Sequence, residues 1–184
     1  IILERLTGKA QYDLSVTMNA VLTGLVGITG GCGLIDPWAA VIVGIISGLV
    51  YLGGTRLLIA LRLDDAVDAI PVHLGGGIWG IISVGLFASP SRLEKAYGNA
   101  DHVGCCPAVF GRFQDIDGSL LGAQIVGVLF IIGWNVAIMM PFFVILDYNN
   151  LFRSNVMDEL MGLDKSFHGG AQEGGEDALS PNTM

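Results

Sequence analysis

The stretch that decides the fold class occupies residues 118–146 and reads GSLLGAQIVGVLFIIGWNVAIMMPFFVIL. It has no Asp, Glu, Lys or Arg in 29 consecutive residues. A helix rises about 1.5 Å per residue, so about 20 apolar residues cross the ~30 Å hydrocarbon layer of a bilayer. This run is therefore long enough to predict a transmembrane helix.

Three further runs without a charged residue precede it, at 14–35, 37–55 and 69–91. A chain in lipid must satisfy its own backbone hydrogen bonds, so each run is predicted to be helical. We expect an all-α membrane protein with four transmembrane helices, at about 14–35, 37–60, 66–89 and 118–146.

Composition supports this fold class and excludes others. Hydrophobic residues make up 52% of the chain and charged residues 14%, whereas soluble domains carry about 25% charged residues. The mean hydropathy is +0.64. The net charge of −8 argues against a nucleic-acid-binding protein.

Three cysteines, Cys32, Cys105 and Cys106, show no zinc-site spacing. We expect neither a metal nor a cofactor. The adjacent pair, Cys105 and Cys106, has two interpretations: ordinary loop thiols, or disulfide pairing on an oxidising face.

The distribution of Lys and Arg predicts the orientation in the membrane. Four helices place six of these residues on the face that holds both termini and three on the other face. Basic residues favour the cytoplasmic side. We therefore expect a cytoplasmic loop remnant at 1–13, an extracytoplasmic loop at 90–117 and a cytoplasmic tail at 148–184. The chain begins without Met, which we interpret as a cut through a longer protein.

The third predicted helix contains DDAVDAIPVHLGGGIWG, residues 64–80. His73 follows Asp65 by eight residues, about 12 Å along a helix, which predicts a position near the bilayer midplane. An ionisable residue at that depth usually faces a cavity or a partner. A neutral imidazole donates one hydrogen bond and accepts another, so it can hold a small neutral molecule or pass a proton. The alternative is a side chain hydrogen-bonded to a neighbouring helix.

The residues around His73 also have two interpretations each. Asp64, Asp65 and Asp68 can form a solvated helix start, or an acidic vestibule or structural anchor for a pore helix. Gly76 and Gly80 form a GxxxG pair that allows close helix contact; alternatively, Gly75 to Gly77 make room for a passing substrate.

These segments together resemble the ammonium transporter family (Amt/Mep/Rh). The resemblance lies in Asp-Pro-Trp-Ala-Ala at 36–40, in the Asp-Asp…His…Gly-Gly…Trp-Gly…Gly-Leu-Phe run at 64–87, in the Gly-rich stretch 24–33, in Ile-Gly-Trp at 132–134 and in the tail at 158–169. The tail is most like the plant and algal type. The resemblance implies helices eight to eleven of an eleven-helix inverted-repeat fold that assembles as a homotrimer.

The resemblance also implies roles for individual residues. His73 matches the second of the family's twin pore histidines and Asp65 the acidic residue before it; the expected pore residues are His73, Ala69 and Asp65. In the tail, Gly162, Asp164 and His168 match the motif that couples neighbouring subunits, and Ser166 occupies the position of a phosphorylatable Thr.

The expected function is ammonium or ammonia transport through a hydrophobic pore with a paired-histidine centre, in the plasma membrane. Two alternatives stay open: an ammonium sensor that signals through its cytoplasmic tail, and an inactive truncated product. A membrane enzyme is disfavoured, because no nucleophile or metal set accompanies His73. The expected partners are ammonium or ammonia, the lipid bilayer and two further copies of the full-length protein, without nucleic acid.

Overall fold

A computed structural model of the protein describes residues 14–98 and 118–154, together with residues 157, 158 and 162. Five α-helices and one π-helical segment occur in these ranges: α1 (Leu14–Thr29), α2 (Pro37–Leu61), the π segment (Ile70–Gly75), α3 (Gly76–Phe87), α4 (Pro90–Tyr97) and α5 (Ser119–Tyr148). No strand is found there, and one isolated bridge pairs Ile35 with Ala88. The predicted all-α fold class is confirmed.

Three of the described segments are long and apolar enough to cross a membrane, namely Pro37–Leu61, Ile70–Phe87 and Ser119–Tyr148. The fourth apolar helix, Leu14–Thr29, is shorter. It ends before residue 35 because the chain turns at its glycines: Gly31 donates to the Ile28 carbonyl, and Ile35 donates to the Gly31 carbonyl at 2.8 Å.

The third predicted helix begins at Ile70 rather than at 66. The chain leaves α2 through Arg62, whose φ of 55° is left-handed and whose N–H bonds the Ile59 carbonyl at 3.1 Å. Asp68 is also left-handed, with a φ of 57°. A left-handed residue interrupts a right-handed helix. The helix therefore starts only after Asp68.

Helices α1, α2 and α3 bury residues that recur at every fourth position. On α2 the stripe consists of Ala39, Val43, Ser47 and Tyr51, all buried. Residues four apart lie on one face of a helix, so these side chains form a single ridge. Thr23 and Gly27 of α1, and Gly76 and Gly80 of α3, are buried at the same spacing.

The ends of α1 and α3 distal to Asp68 are joined by a polar clamp. Ser89 donates its backbone N–H to the Leu34 carbonyl at 2.8 Å, beside the Ile35–Ala88 bridge. The Arg92 guanidinium pairs with the Asp36 carboxylate at 2.5 Å. Arg92 belongs to α4, a short helix inside the segment that we predicted as an extracytoplasmic loop.

The chain divides into two compact units, with the boundary between Ile132 and Gly133. In the first unit, Leu120 of α5 packs against a buried cluster of Val84, Ala88 and Leu93. In the second unit, Phe143 contacts Phe142 and Phe152 in edge-to-face geometry, with ring centroids 5.5 Å and 5.4 Å apart.

Candidate functional site

His73 lies within the π segment, Ile70–Gly75. A π segment closes its backbone hydrogen bonds from residue i to i+5 and frequently occurs at functional sites. Pro71 and Val72 are buried, whereas His73 and Leu74 are exposed. The segment therefore buries one side and presents the imidazole on the other.

Two glycine-dependent contacts hold the π segment against α2 and the first residue of α3 against α1. A Cβ on Gly54 would lie 3.0 Å from the Pro71 Cβ, so Pro71 packs directly on the α2 backbone. A Cβ on Gly76 would lie 3.0 Å from the Thr23 side chain of α1. These separations are tighter than ordinary van der Waals contacts, so a side chain at either position would require its neighbour to shift.

Asp65 caps the start of the helix that carries His73. Its two carboxylate oxygens accept hydrogen bonds from the backbone N–H groups of Ala69, at 2.9 Å, and Ile70, at 2.7 Å. These bonds lower the pKa of the Asp65 carboxyl because they stabilise its ionised form, and the bond from Ile70 contributes most. Asp65 thus satisfies two N–H groups that a helix start leaves without intrahelical partners. Asp64, its neighbour, is exposed.

Asp68 has different contacts from Asp65. Its Oδ2 accepts the Tyr51 hydroxyl of α2 at 2.6 Å and the Asn19 amide of α1 at 3.4 Å. The Asn19 amide also lies 3.4 Å from the Val67 carbonyl. One carboxylate therefore connects both neighbouring helices to the turn before the π segment.

The sequence patterns considered above did not single out Tyr51. Tyr51 is 1% exposed, although it stands in an apolar helix with a polar hydroxyl. A buried tyrosine hydroxyl requires a hydrogen-bond partner. A tyrosine within an apolar helix therefore indicates a polar contact, but the sequence does not show which acceptor its hydroxyl meets.

Gly76 and Gly80 lie on the side of α3 that meets α1. A Cβ on Gly80 would lie 2.8 Å from the Gly27 carbonyl oxygen. The Trp79 indole N–H donates to the Val43 carbonyl of α2 at 3.1 Å, and its ring lies beside Gly27. Both glycines thus occur at packed contacts, while Gly77 has no neighbour within 4 Å of a built Cβ.

The 12 Å estimate for His73 assumed an unbroken helix from Asp65. The structure replaces that helix with a turn, and His73 follows the first residue of the π segment, Ile70, by three residues. The depth of His73 in a bilayer therefore stays a prediction. The structure places Asp65, Ala69 and Asp68 together at the helix start and His73 one turn further along.

The predicted tail residues Asp164, Ser166 and His168, and the pair Cys105 and Cys106, lie outside the described residues. Gly162 has a left-handed φ of 88°. Cys32 is an exposed free thiol. Among the described residues no group of three or more His, Cys, Asp or Glu side chains could hold a metal ion.

The sequence model of the Ammonium Transporter Family matches residues 1–173. The chain belongs to this family. It is 42% identical over 164 residues to ammonium transporter 3 of Dictyostelium discoideum, covering 89% of this chain and 36% of that protein. It is 38% identical over 162 residues to ammonium transporter 1 member 1 of Arabidopsis thaliana, covering 88% of this chain and 31% of that protein.

The fold also matches a solved structure. The crystal structure of Saccharomyces cerevisiae Mep2 superposes with a TM-score of 0.68 at 22% identity, over 84% of this chain and 33% of that chain. The family and the apolar helices make the protein a multi-pass membrane protein. The chain spans about a third of the length of the curated relatives it matches, and those relatives are named as transporters.

Proposed function

We propose that this chain forms one part of a transporter for ammonium or ammonia, with His73 on the conduction path. The observation that carries the proposal is an exposed imidazole in a π segment whose other side is buried against α1 and α2. The curated relatives, which bear the name ammonium transporter, support this choice of substrate.

The chemistry of an imidazole suits this substrate. Removing an ammonium ion from water into an apolar passage is expensive, whereas neutral ammonia is a small molecule that needs few hydrogen bonds. A neutral imidazole offers one donor and one acceptor to such a molecule. His73 would therefore contact ammonia after the ion has lost its proton, beside a second histidine supplied by the rest of the protein.

The proposal includes the assembly and its location. We place the protein in the plasma membrane as a homotrimer with its C-terminal tail in the cytoplasm, as the Lys and Arg distribution favours. The open face that carries His73 would then be covered by the other helices of the same subunit. The Asp65 end of the π segment would lie toward the cytoplasm.

Uptake of labelled methylammonium tests this function in the full-length gene product, expressed in cells that lack their own ammonium uptake. We expect saturable uptake that is abolished or altered in selectivity by His73→Ala. Tyr97→Phe provides a control, because Tyr97 is 71% exposed on α4. Parental uptake and selectivity in His73→Ala would remove His73 from the pathway.

A chimera distinguishes a gene product that is inactive because it is truncated from a chain that cannot support transport at all. In it, the matching third of the Dictyostelium relative is replaced by this chain. Uptake by the chimera, with none by the gene product, would show that the chain is competent and that the gene product lacks a part. An inactive chimera that reaches the membrane would oppose the proposed function.

A further inference from the structure

One buried hydroxyl connects the core of α2 to the segment that carries His73. Tyr51 is 1% exposed and belongs to the buried stripe of α2. Its hydroxyl donates to Asp68 Oδ2 at 2.6 Å. A hydrogen bond to a carboxylate is shorter and stronger than one between neutral groups.

Asp68 has an uncommon backbone conformation. Its φ of 57° lies in the left-handed region, which few residues with a Cβ adopt, although Asp adopts it more often than most. Such conformations persist when the surrounding structure fixes them, and they cluster at functional sites. The bonds from Tyr51 and Asn19 hold the Asp68 side chain from two different helices.

The constraint continues from Asp68 into the π segment through the backbone. The Asp68 carbonyl accepts the N–H of Val72 at 3.1 Å. Val72 is 2% exposed and directly precedes His73. The hydroxyl of Tyr51 is thus two hydrogen bonds and one peptide unit away from the residue that carries the imidazole.

We propose that Tyr51 is a positioning residue for His73, acting through Asp68 and Val72. Its hydroxyl fixes the left-handed turn, the turn fixes the register of the π segment, and the register sets the direction of the imidazole. Without the hydroxyl, Asp68 relaxes toward a right-handed conformation and the imidazole samples more orientations. The inference rests on the proposed function of His73.

The test compares Tyr51→Phe with Tyr97→Phe in the full-length gene product. Both substitutions remove one tyrosine hydroxyl, but Tyr97 is 71% exposed. Methylammonium uptake is measured against concentration and pH and is normalised to the protein found in the membrane. We expect Tyr51→Phe to lower uptake per molecule by about tenfold, as loss of one hydrogen bond to a charged group implies, and to change the preference for ammonium over methylammonium. Tyr97→Phe should match the parent.

A double-mutant cycle distinguishes positioning from general stability. If Tyr51 acts through the imidazole, Tyr51→Phe changes the ammonium preference of the parent but adds nothing to that of His73→Ala. In addition, Asp68→Asn keeps an acceptor oxygen for the hydroxyl and should retain more selectivity than Asp68→Ala. Equal effects of Tyr51→Phe in both backgrounds would assign it a structural role and overturn the proposal.

The outcomes separate this inference from the function on which it rests. Parental uptake with an unaffected Tyr51→Phe overturns the positioning role alone. Absence of uptake in both the parent and the chimera overturns both. If Tyr51→Phe does not reach the membrane, the same selectivity measurement is made on Asn19→Ala. This variant removes the longer hydrogen bond to the same Asp68 oxygen. Parental selectivity in Asn19→Ala overturns the role of the Asp68 contacts.

Discussion

Gly80 of α3 meets Gly27 of α1 backbone to backbone. A Cβ built on Gly80 would lie 2.8 Å from the Gly27 carbonyl oxygen and 3.2 Å from the Gly27 Cα. The opposing atoms belong to the backbone, so no flexible side chain can yield. Helices in membranes associate through such small-residue contacts.

Gly80→Ala should therefore destabilise the packing of α3 on α1. Overpacking at a tight contact costs about 1–3 kcal/mol, so we expect a lower midpoint of thermal unfolding in detergent. Gly77→Ala is the matched control, because nothing lies within 4 Å of its built Cβ. An unfolding midpoint of Gly80→Ala equal to that of Gly77→Ala would contradict the close contact.

Trp79→Phe should remove one interhelical bond and keep an aromatic ring at the contact. The lost bond is the one from the indole N–H to the Val43 carbonyl. A net loss of about 0.5–1.5 kcal/mol is expected, measured as the shift in thermal unfolding. An unfolding midpoint of Trp79→Phe equal to that of the parent would argue against the bond.

Asp65→Asn should change how stability depends on pH. The folded protein lowers the Asp65 pKa below its ordinary value of 3.8, chiefly through the Ile70 N–H. The stabilisation is therefore fully present above pH 3.8 and is lost as the pH falls through the lowered pKa. We expect the unfolding temperature of the parent to fall over this acid range and that of Asp65→Asn to fall less. The same acid dependence in both proteins would show that other carboxylates account for it.

Arg92→Ala should have a small effect, despite the short contact with Asp36. The two side chains are 39% and 36% exposed, and exposed ion pairs contribute less than about 1 kcal/mol. The shift in unfolding temperature should shrink further at high salt, because salt screens the pair. The exchange Asp36→Arg with Arg92→Asp should recover part of the loss. A large, salt-independent loss in Arg92→Ala would instead indicate a role for Arg92 in packing.

The helical fold was predictable from long uncharged runs, but helix ends and the geometry around His73 were not. Residues 30–34 and 66–68 are read as parts of helices when only charge and hydropathy are considered. In the structure they are turns, since Gly31 accepts from Ile35 and Asp68 is left-handed. Both turns also contact residues distant in sequence: Leu34 accepts from Ser89, and Asp68 accepts from Tyr51.

The sequence alone determined that the chain is a set of apolar helices, because the absence of charge over a bilayer-spanning length leaves the backbone no other way to satisfy its hydrogen bonds in lipid. Only the tertiary structure decided which side of the third span carries His73. That choice depends on a π segment wedged against Gly54 and on a carboxylate at Asp68 bound from two other helices. Hydropathy is a property of each residue, whereas these contacts require three helices to meet.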